Sequence, residues 1–531
     1  MIRITDLRLS IDAGPGELRA AAAGALGLKQ NDILSLEILR QAVDARHQNN
    51  ILFTHTVAVQ VRDEAAVLRA APSAKAERYD APVYALPAPG DQKLSTRPVV
   101  VGAGPAGMLA AWVLAKAGYQ PIVLERGQDM DTRWADADAF MAGGPLNPES
   151  NIQFGEGGAG AFSDGKLVTR VKDHRCPEVL RLLVECGAPE DILFSARAHV
   201  GTDRLRQAIP AVRRQIEALG GQYRFSSAVK ELVLTGGRLA GLKLASGETV
   251  DCEACVLAIG HSARDTVEQL FAQGVALEGK PFAVGFRAEH PQALIDRAAW
   301  GAKAGHPKLG AADYHLNTTI NGRAVYSFCM CPGGYVVNAS SEPERLAVNG
   351  MSLRARNGKN ANAAVVAAVS PLDYGDGPLA GIAFQRMLEE KAYRLGGGWH
   401  APAQRLGDFL SGQKTKAFGT VKPTVRPEAA PANLNGLLPK VVEDAVKAAF
   451  RQFDRRMPGY GMADAVLTAV ESRTSSPTRM PRGQDMQAEG IAGLYPAGEG
   501  AGWAGGIVSA AVDGMRAAEA LIGQWRMEQH G

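Results

Sequence analysis

Apolar and polar positions alternate over residues 2–11, and again over 33–43 and 51–61, which predicts three strands of period two. Between and after them, the Ala-rich stretch 16–28 predicts a helix and 64–71 a shorter one. Residues 1–90 therefore read as a small α+β module. Three prolines together with polar residues over 81–97 read as a linker. The pattern then changes. Val99-Val100-Val101 is an unbroken apolar run, the signature of a strand covered on both faces. A Gly-rich turn, a helix over 106–117 ended by Gly118, and a second strand over 121–124 follow. Residues 201–219 form an amphipathic helix. The short runs 223–226, 229–234, 239–244 and 249–251 predict an antiparallel meander, and 256–259 a return strand. Strand, helix, strand, meander and return strand make a doubly wound nucleotide-binding α/β fold. From 265 to 490 strands (282–288, 324–329) mix with helices (378–395, 438–454), which reads as an inserted α+β substrate domain. A last strand (494–497) and helix (507–525) return to the first fold. The expected organisation is thus 1–90, 91–264, 265–490 and 491–531.

Composition narrows the classes. A chain of 531 residues is too long for one ordinary core. Its 58 Lys and Arg against 55 Asp and Glu make no case by bulk charge for a nucleic-acid or membrane partner. Six Cys in this length make no disulfide framework, and Cys252-x-x-Cys255, with no second pair at zinc-finger spacing, reads as structural. No charged lead precedes an apolar run at the N-terminus, and no apolar stretch approaches a bilayer span. The expectation is a soluble, reduced, cytoplasmic protein without a membrane span or metal site. The 60 glycines cluster, which points to close approach of backbone to a ligand.

The first cluster is Gly102-x-Gly104-Pro105-Ala106-Gly107. Gly102 permits the tight turn, Gly104 lets a pyrophosphate reach the backbone, and Gly107 lets helix and strand pack. The helix start offers free N–H groups and partial positive charge to phosphates. Glu125, followed by Arg126, ends the second strand, where its carboxylate can accept from ribose hydroxyls. The glycine pattern alone is weak, but here it comes with strand, helix, second strand and terminal acid. The second cluster is Gly493-Leu494-Tyr495-Pro496-Ala497-Gly498-Glu499, leading through Gly505-Gly506 into a helix at Ile507. The third is Val256-Leu257-Ala258-Ile259-Gly260.

At the second and third clusters the chain resembles the two-dinucleotide-binding-domain flavoproteins. The resemblance implies a glutathione-reductase-like FAD-binding domain, with the acid of the C-terminal motif on the ribityl chain. Glu499 stands where those proteins carry Asp, and Ile259 where they carry Thr. The phrases Phe154-Gly155-Glu156-Gly157-Gly158-Ala159-Gly160-Ala161-Phe162-Ser163-Asp164-Gly165-Lys166-Leu167, Gly260-His261-Ser262-Ala263-Arg264-Asp265, Phe328-Cys329-Met330-Cys331-Pro332-Gly333-Gly334, Asn349-Gly350-Met351-Ser352 and Glu471-Ser472-Arg473-Thr474-Ser475-Ser476-Pro477 are similar to a poorly characterised family of FAD-dependent dehydrogenases, over nearly the whole chain. That family supplies cofactor and fold more than reaction. It implies a Gly-rich loop beside the flavin ring, here Gly158 and Gly160, with Val229 also at the cofactor. The helix from Ile507 would stabilise negative charge on reduced flavin.

The reaction expected is hydride transfer between FAD and a small molecule, with NAD(P)H a candidate transient reductant, since no second complete dinucleotide unit is visible. Candidate catalytic residues are Arg473, in a Ser/Thr-rich loop shortly before the second FAD motif, His261, either at the cofactor or capping a helix, and Arg287, either orienting an anionic substrate or in a surface ion pair with its neighbours Glu289 and His290. Cys329 and Cys331 read either as a strained redox pair or as buried small side chains. Two other classes stand against an enzyme of this kind. One is a flavoprotein that reads RNA through Lys29, Arg40 and Arg46 of the N-terminal module, and the other is a non-enzymatic FAD-binding module.

Overall fold

A computed structural model describes residues 1–71 and 75–528, so residues 529–531 of the expected C-terminal segment lie outside the description. The nucleotide unit is built on a five-stranded sheet in the order Leu494–Pro496, Cys255–Leu257, Val99–Val101, Ile122–Leu124, Gln222–Arg224, every pair parallel. Val99–Val101 and Cys255–Leu257 are wholly buried because both faces of the sheet are covered. One face carries the helices Pro105–Lys116 and Ile507–Gln524, packed against each other. An added Cβ on Gly514 would lie 1.9 Å from the Ala106 carbonyl, so this glycine sets how near the two helices come. The other face carries the meander Val229–Thr235, Arg238–Leu244 and Thr249–Asp251.

Three expectations change here. The run at 223–226 is not part of the meander: Gln222–Arg224 pairs with Ile122–Leu124 as the edge of the parallel sheet, a choice that so short a run cannot signal. The stretch 81–97 is no loose linker. Tyr84 stacks on Trp112 and donates to Glu519, and Gln92–Leu94 pairs with Trp525–Met527, so the last helix stops at Gln524 and its successor becomes a strand. The helix Arg264–Ala272 buries Val267 and Leu270 in the nucleotide unit, as the later segment does with Met480, Ala488 and Ile491. Packing therefore draws the limits of the inserted unit inward from 265 and 490.

The inserted unit is a seven-stranded sheet in the order Asn317–Ile320, Arg323–Cys331, Asn360–Val369, Phe282–Pro291, Val466–Glu471, Pro402–Arg405, Ala430–Pro431. The helices Ala380–Gly396 and Lys440–Arg456 bury Phe384, Leu388, Phe450 and Phe453 in its main core.

The N-terminal module is a four-stranded antiparallel sheet in the order Ser35–Asp44, Leu52–Gln60, Ile2–Ser10, Ala76–Arg78. It is docked, not free. Ile11 and Ile51 share a core with Trp300 and Met330, Gln41 exchanges main-chain bonds with Phe194 and Ala196, and His306 meets Asp12 at 2.9 Å. Lys29, Arg40 and Arg46 are exposed, and Arg46 is held by Asp44. Among the described residues no helix is long and apolar enough to cross a membrane.

Candidate functional site

A cavity of about 500 Å³ runs from the Gly102 turn to the face of the inserted unit. At one end, Gly102 (φ +99°) turns the chain so tightly that an added Cβ would lie 2.3 Å from the Ala258 carbonyl. Gly104, by contrast, opens into the cavity, with only the Cα of Gly158 near a Cβ built there, at 3.8 Å. Pro105 and Ala106 begin a helix that no side chain caps, leaving its first N–H groups to the cavity. Gly107 does not line the cavity. Its Cβ would fall 1.8 Å from the Gly102 carbonyl, so it serves the helix–strand contact.

Glu125 is buried, and its carboxylate is largely spent on the protein. Oε2 accepts from the Ala103 N–H at 2.7 Å, and Oε1 accepts from Gly127 and Gly155, both at 2.9 Å. Of the roughly four lone-pair sites of a carboxylate, one remains, on Oε2, so a ribose can gain at most one bond here. The acid instead pins the Gly-rich turn to the Gly155 loop, a role its position in sequence does not reveal. Arg126 also lines the cavity. Its charge is matched by Glu149 and Asp265, and its guanidinium lies 4.1 Å from the centre of the Phe154 ring, forming a fixed wall.

Further along, Gly158, Gly160, Val229 and Gly260 line the cavity together with Glu499, Gly505, Gly506 and Ile507. Gly160 faces the Ile507 side chain, so the Gly155–Gly160 loop and the start of the last helix lie on the same stretch of wall. That helix too has no side-chain cap. Gly498 is set back from the cavity. Its N–H donates to Asp513 at 2.8 Å. His261 faces the cavity with Nδ1 3.6 Å from Glu499 Oε2, while its buried Nε2 has no partner. Bare glycine backbone, two uncapped helix starts, apolar walls and an unpartnered imidazole nitrogen fit a long, phosphate-bearing, partly apolar ligand such as FAD.

The other two catalytic candidates are otherwise engaged. Arg473 lines the cavity, but Nε and Nη2 donate to Glu389 at 3.0 and 2.8 Å, and Nη1 donates to Ser262 and Ser341. It braces the loop that carries His261. Arg287 is neither at the surface nor at the cavity. It is fully buried, and its five donor bonds go to Glu471, Cys329, Asn362 and Asn349. Glu289 and His290 are buried beside it, bonded to Thr424 and Asn360 and to the Tyr460 carbonyl. A charged strand end placed in sequence at the surface is thus an internal polar layer of the inserted sheet, in which the charged groups are hydrogen-bonded while His290 Nδ1 and Asn362 Nδ2 have no partner.

Cys329 and Cys331 are free thiols. A register shift between Phe328 and Cys331, with Cys329 at φ +45°, breaks the alternation of the strand after Phe328, so that Cys329 lines the same cavity as Phe328. Burial pushes both thiols up, which keeps them neutral. Cys252 and Cys255 are buried. Residues that the sequence reading quoted within motifs but gave no role also reach the cavity, among them Asp164, Lys166 and Asn349. Only the meeting of two distant loops distinguishes them from other polar residues of those motifs.

Comparison with known proteins adds a family context. The FAD-dependent protein C-terminal domain matches residues 281–474, close to the limits of the inserted sheet. An FAD binding domain matches 97–259, and a domain of unknown function, DUF8436, matches 1–60. A protein of Clostridium beijerinckii, described as uncharacterized, is 45% identical over 525 residues, 98% of each chain. Protein FixC of Escherichia coli K12 is 28% identical over 205 residues, which span 37% of this chain and 44% of FixC. Among solved structures, glycine oxidase from Bacillus cereus aligns over 82% of this chain and 98% of its own, at 11% identity and TM-score 0.34.

Proposed function

This chain belongs to an FAD-dependent protein family, and we propose that it is an oxidoreductase that moves hydride between FAD and a small molecule held between the nucleotide unit and the inserted unit. The observation that carries this reading is the single cavity. Its walls join the turn at Gly102 and Gly104, the Glu499 and Ile507 segment, and Phe328, Cys329 and Asn349 of the inserted unit. Clefts between units are where such ligands bind. When bound, FAD supplies the two-electron donor or acceptor. The start of the helix Ile507–Gln524 places partial positive charge where negative charge gathers. His261, with Nδ1 beside Glu499 and Nε2 without a partner, can hold or release a proton. Arg473 positions the loop of His261 through Ser262.

The purified protein is expected to be yellow, with about one flavin per chain. Flavin released by heat and separated by chromatography should be FAD, because the end at Gly104 and Glu125 suits an adenosine diphosphate that FMN lacks. A colourless protein that FAD does not reconstitute, or one that carries FMN, ends this reading.

A pyridine nucleotide as reductant is supported by a second cavity of about 390 Å³ that shares Gly505 with the first. It is lined by Arg170, Arg482 and Arg516. Asp513 and Asp173 match the last two, while Arg170 has no acid partner among the described residues. A phosphate there gains a charge-assisted bond, so Arg170→Ala is expected to slow anaerobic flavin reduction by NADPH or NADH about tenfold or more. If neither nucleotide reduces the wild-type flavin, the proposed reductant is wrong.

A further inference from the structure

We propose that the substrate carries a carboxylate, bound by Lys166, on an apolar body that lies against Phe328 and Val168. The inference rests on reading the cavity as a shared flavin and substrate site, and it concerns the part of the wall beyond the Gly158 and Ile507 segments.

In and just behind that part of the wall there is one cation more than the acids can match. Asp164 is bound by Arg356, Glu471 by Arg287, and Asp313 by Arg197. Lys166 lies 3.9 Å from Asp313 and also feels Asp164, but Arg197 and Arg356 already bind these two acids, and among the described residues Lys166 makes no hydrogen bond from its ammonium. His199, whose main chain bridges to Lys166, adds no charge, since burial and the nearby Arg356 bring its imidazole down to about 4. Cys329, across the cavity in the inserted sheet, stays a neutral thiol and feels the charge of Lys166. The Lys166 side chain keeps 30% of its exposure although it lines the cavity, so it is accessible to a ligand there. An unmatched cation in a half-enclosed, mostly matched polar wall selects an anion.

The apolar half of the argument comes from the rim. Val168 is 60% exposed and Phe328 is 38% exposed, and both line the cavity. Val168 is two residues from Lys166, and Phe328 is the last residue of its strand in regular register before the irregularity that brings Cys329 to the same cavity. Two large apolar side chains left open at a cavity mouth gain from covering by an apolar ligand. Asn349, on the same wall, is fixed by accepting from Arg287 at 2.8 Å, so its amide hydrogens face outward from that bond. A carboxylate with a flat or branched apolar body meets all three features. A phosphate monoester with the same body brings a charge of about −1.5 to −2, more than one ammonium matches.

The test uses the FAD-loaded full chain and reads binding, not turnover. Benzoate, its neutral isostere benzamide, and phenyl phosphate are titrated while the flavin absorbance is followed, with calorimetry as a second readout. Benzoate is expected to bind at least about tenfold more tightly than benzamide. Lys166→Met should remove that preference and leave benzamide binding unchanged, and Lys166→Arg should restore it. Equal binding of benzoate and benzamide, an unchanged preference in Lys166→Met, or preference for phenyl phosphate would overturn the proposal, as would the absence of a spectral change and of heat with every probe. A failure of the flavin reading looks different, because the protein would then lack its flavin band before any probe is added.

Discussion

Glu389→Gln is expected to cost about 3–5 kcal/mol of stability, the typical loss when one partner of a buried ion pair is removed. Glu389 is fully buried on the helix Ala380–Gly396. It accepts from Arg264 at 2.9 and 2.7 Å, from Arg473 at 3.0 and 2.8 Å, and from the Ser472 hydroxyl at 2.7 Å. Arg264 begins a helix of the nucleotide unit, and Arg473 follows the last long strand of the inserted sheet. The carboxylate therefore holds three segments together behind the cavity. Arg264 keeps a second acid, Glu342 at 2.7 Å, but Arg473 is left with only the hydroxyls of Ser262 and Ser341. Urea unfolding of wild type and variant at neutral pH measures the difference, and a gap under about 1 kcal/mol would contradict the account. The pH dependence supplies an independent check. Burial works against the charged carboxylate, but Arg264 and Arg473 outweigh it and hold the Glu389 carboxyl well below its ordinary value of 4.5. A depressed folded pKa stabilises fully above the unfolded value and is lost as pH falls through the folded one. The gap between wild type and Glu389→Gln should accordingly be constant above pH 4.5 and narrow below it.

Glu125→Ala should leave a protein that retains little FAD and melts earlier even without it. The substitution strands the N–H groups of Ala103, Gly127 and Gly155, three donors that now share one buried carboxylate. Each buried donor left unpaired costs about 1–3 kcal/mol. The variant also unties the phosphate-side turn from the loop that continues to Gly158 and Gly160. Glu125→Gln is no rescue, because its amide nitrogen cannot accept and must face at least one of the same N–H groups. FAD content after gel filtration and the melting temperature of the apoprotein are the measurements. If Glu125→Ala lost FAD but the apoprotein melted as wild type does, the acid would be a ribose ligand alone, and its role in bracing the two loops would be wrong.

The local pattern determined much of this molecule. Val99–Val101, the turn at Gly102 and the helix from Pro105 are legible because each depends on near neighbours. A short apolar run, glycines where a Cβ would strike backbone, and a proline at the first helical position are all contained within a dozen residues. The long helices and the long strands of the inserted sheet are legible for the same reason, since their periodicity is repeated many times. That the motif residues come together was also within reach, because 14 of the 16 expected to hold a cofactor line one cavity, with Gly107 and Gly498 set behind it.

Tertiary structure alone decided what depends on partners far along the chain. Gln222–Arg224 is an edge strand of the parallel sheet only because Ile122–Leu124 is free to pair with it. The stretch 81–97 is tied down because Trp525–Met527 comes back beside it. Charge is the clearest case. Arg287, Arg473, Arg264 and Lys166 are alike in charge, and the residues beside each do not say which of them will be buried. Folding gives Arg287 five acceptors inside a sheet and joins Arg473 to Arg264 across two units through Glu389, while Lys166 is left at a cavity with no acid to itself. Burying a cation requires acceptors that can come from anywhere in the chain, so its role follows from the assembled surroundings and not from the residues beside it.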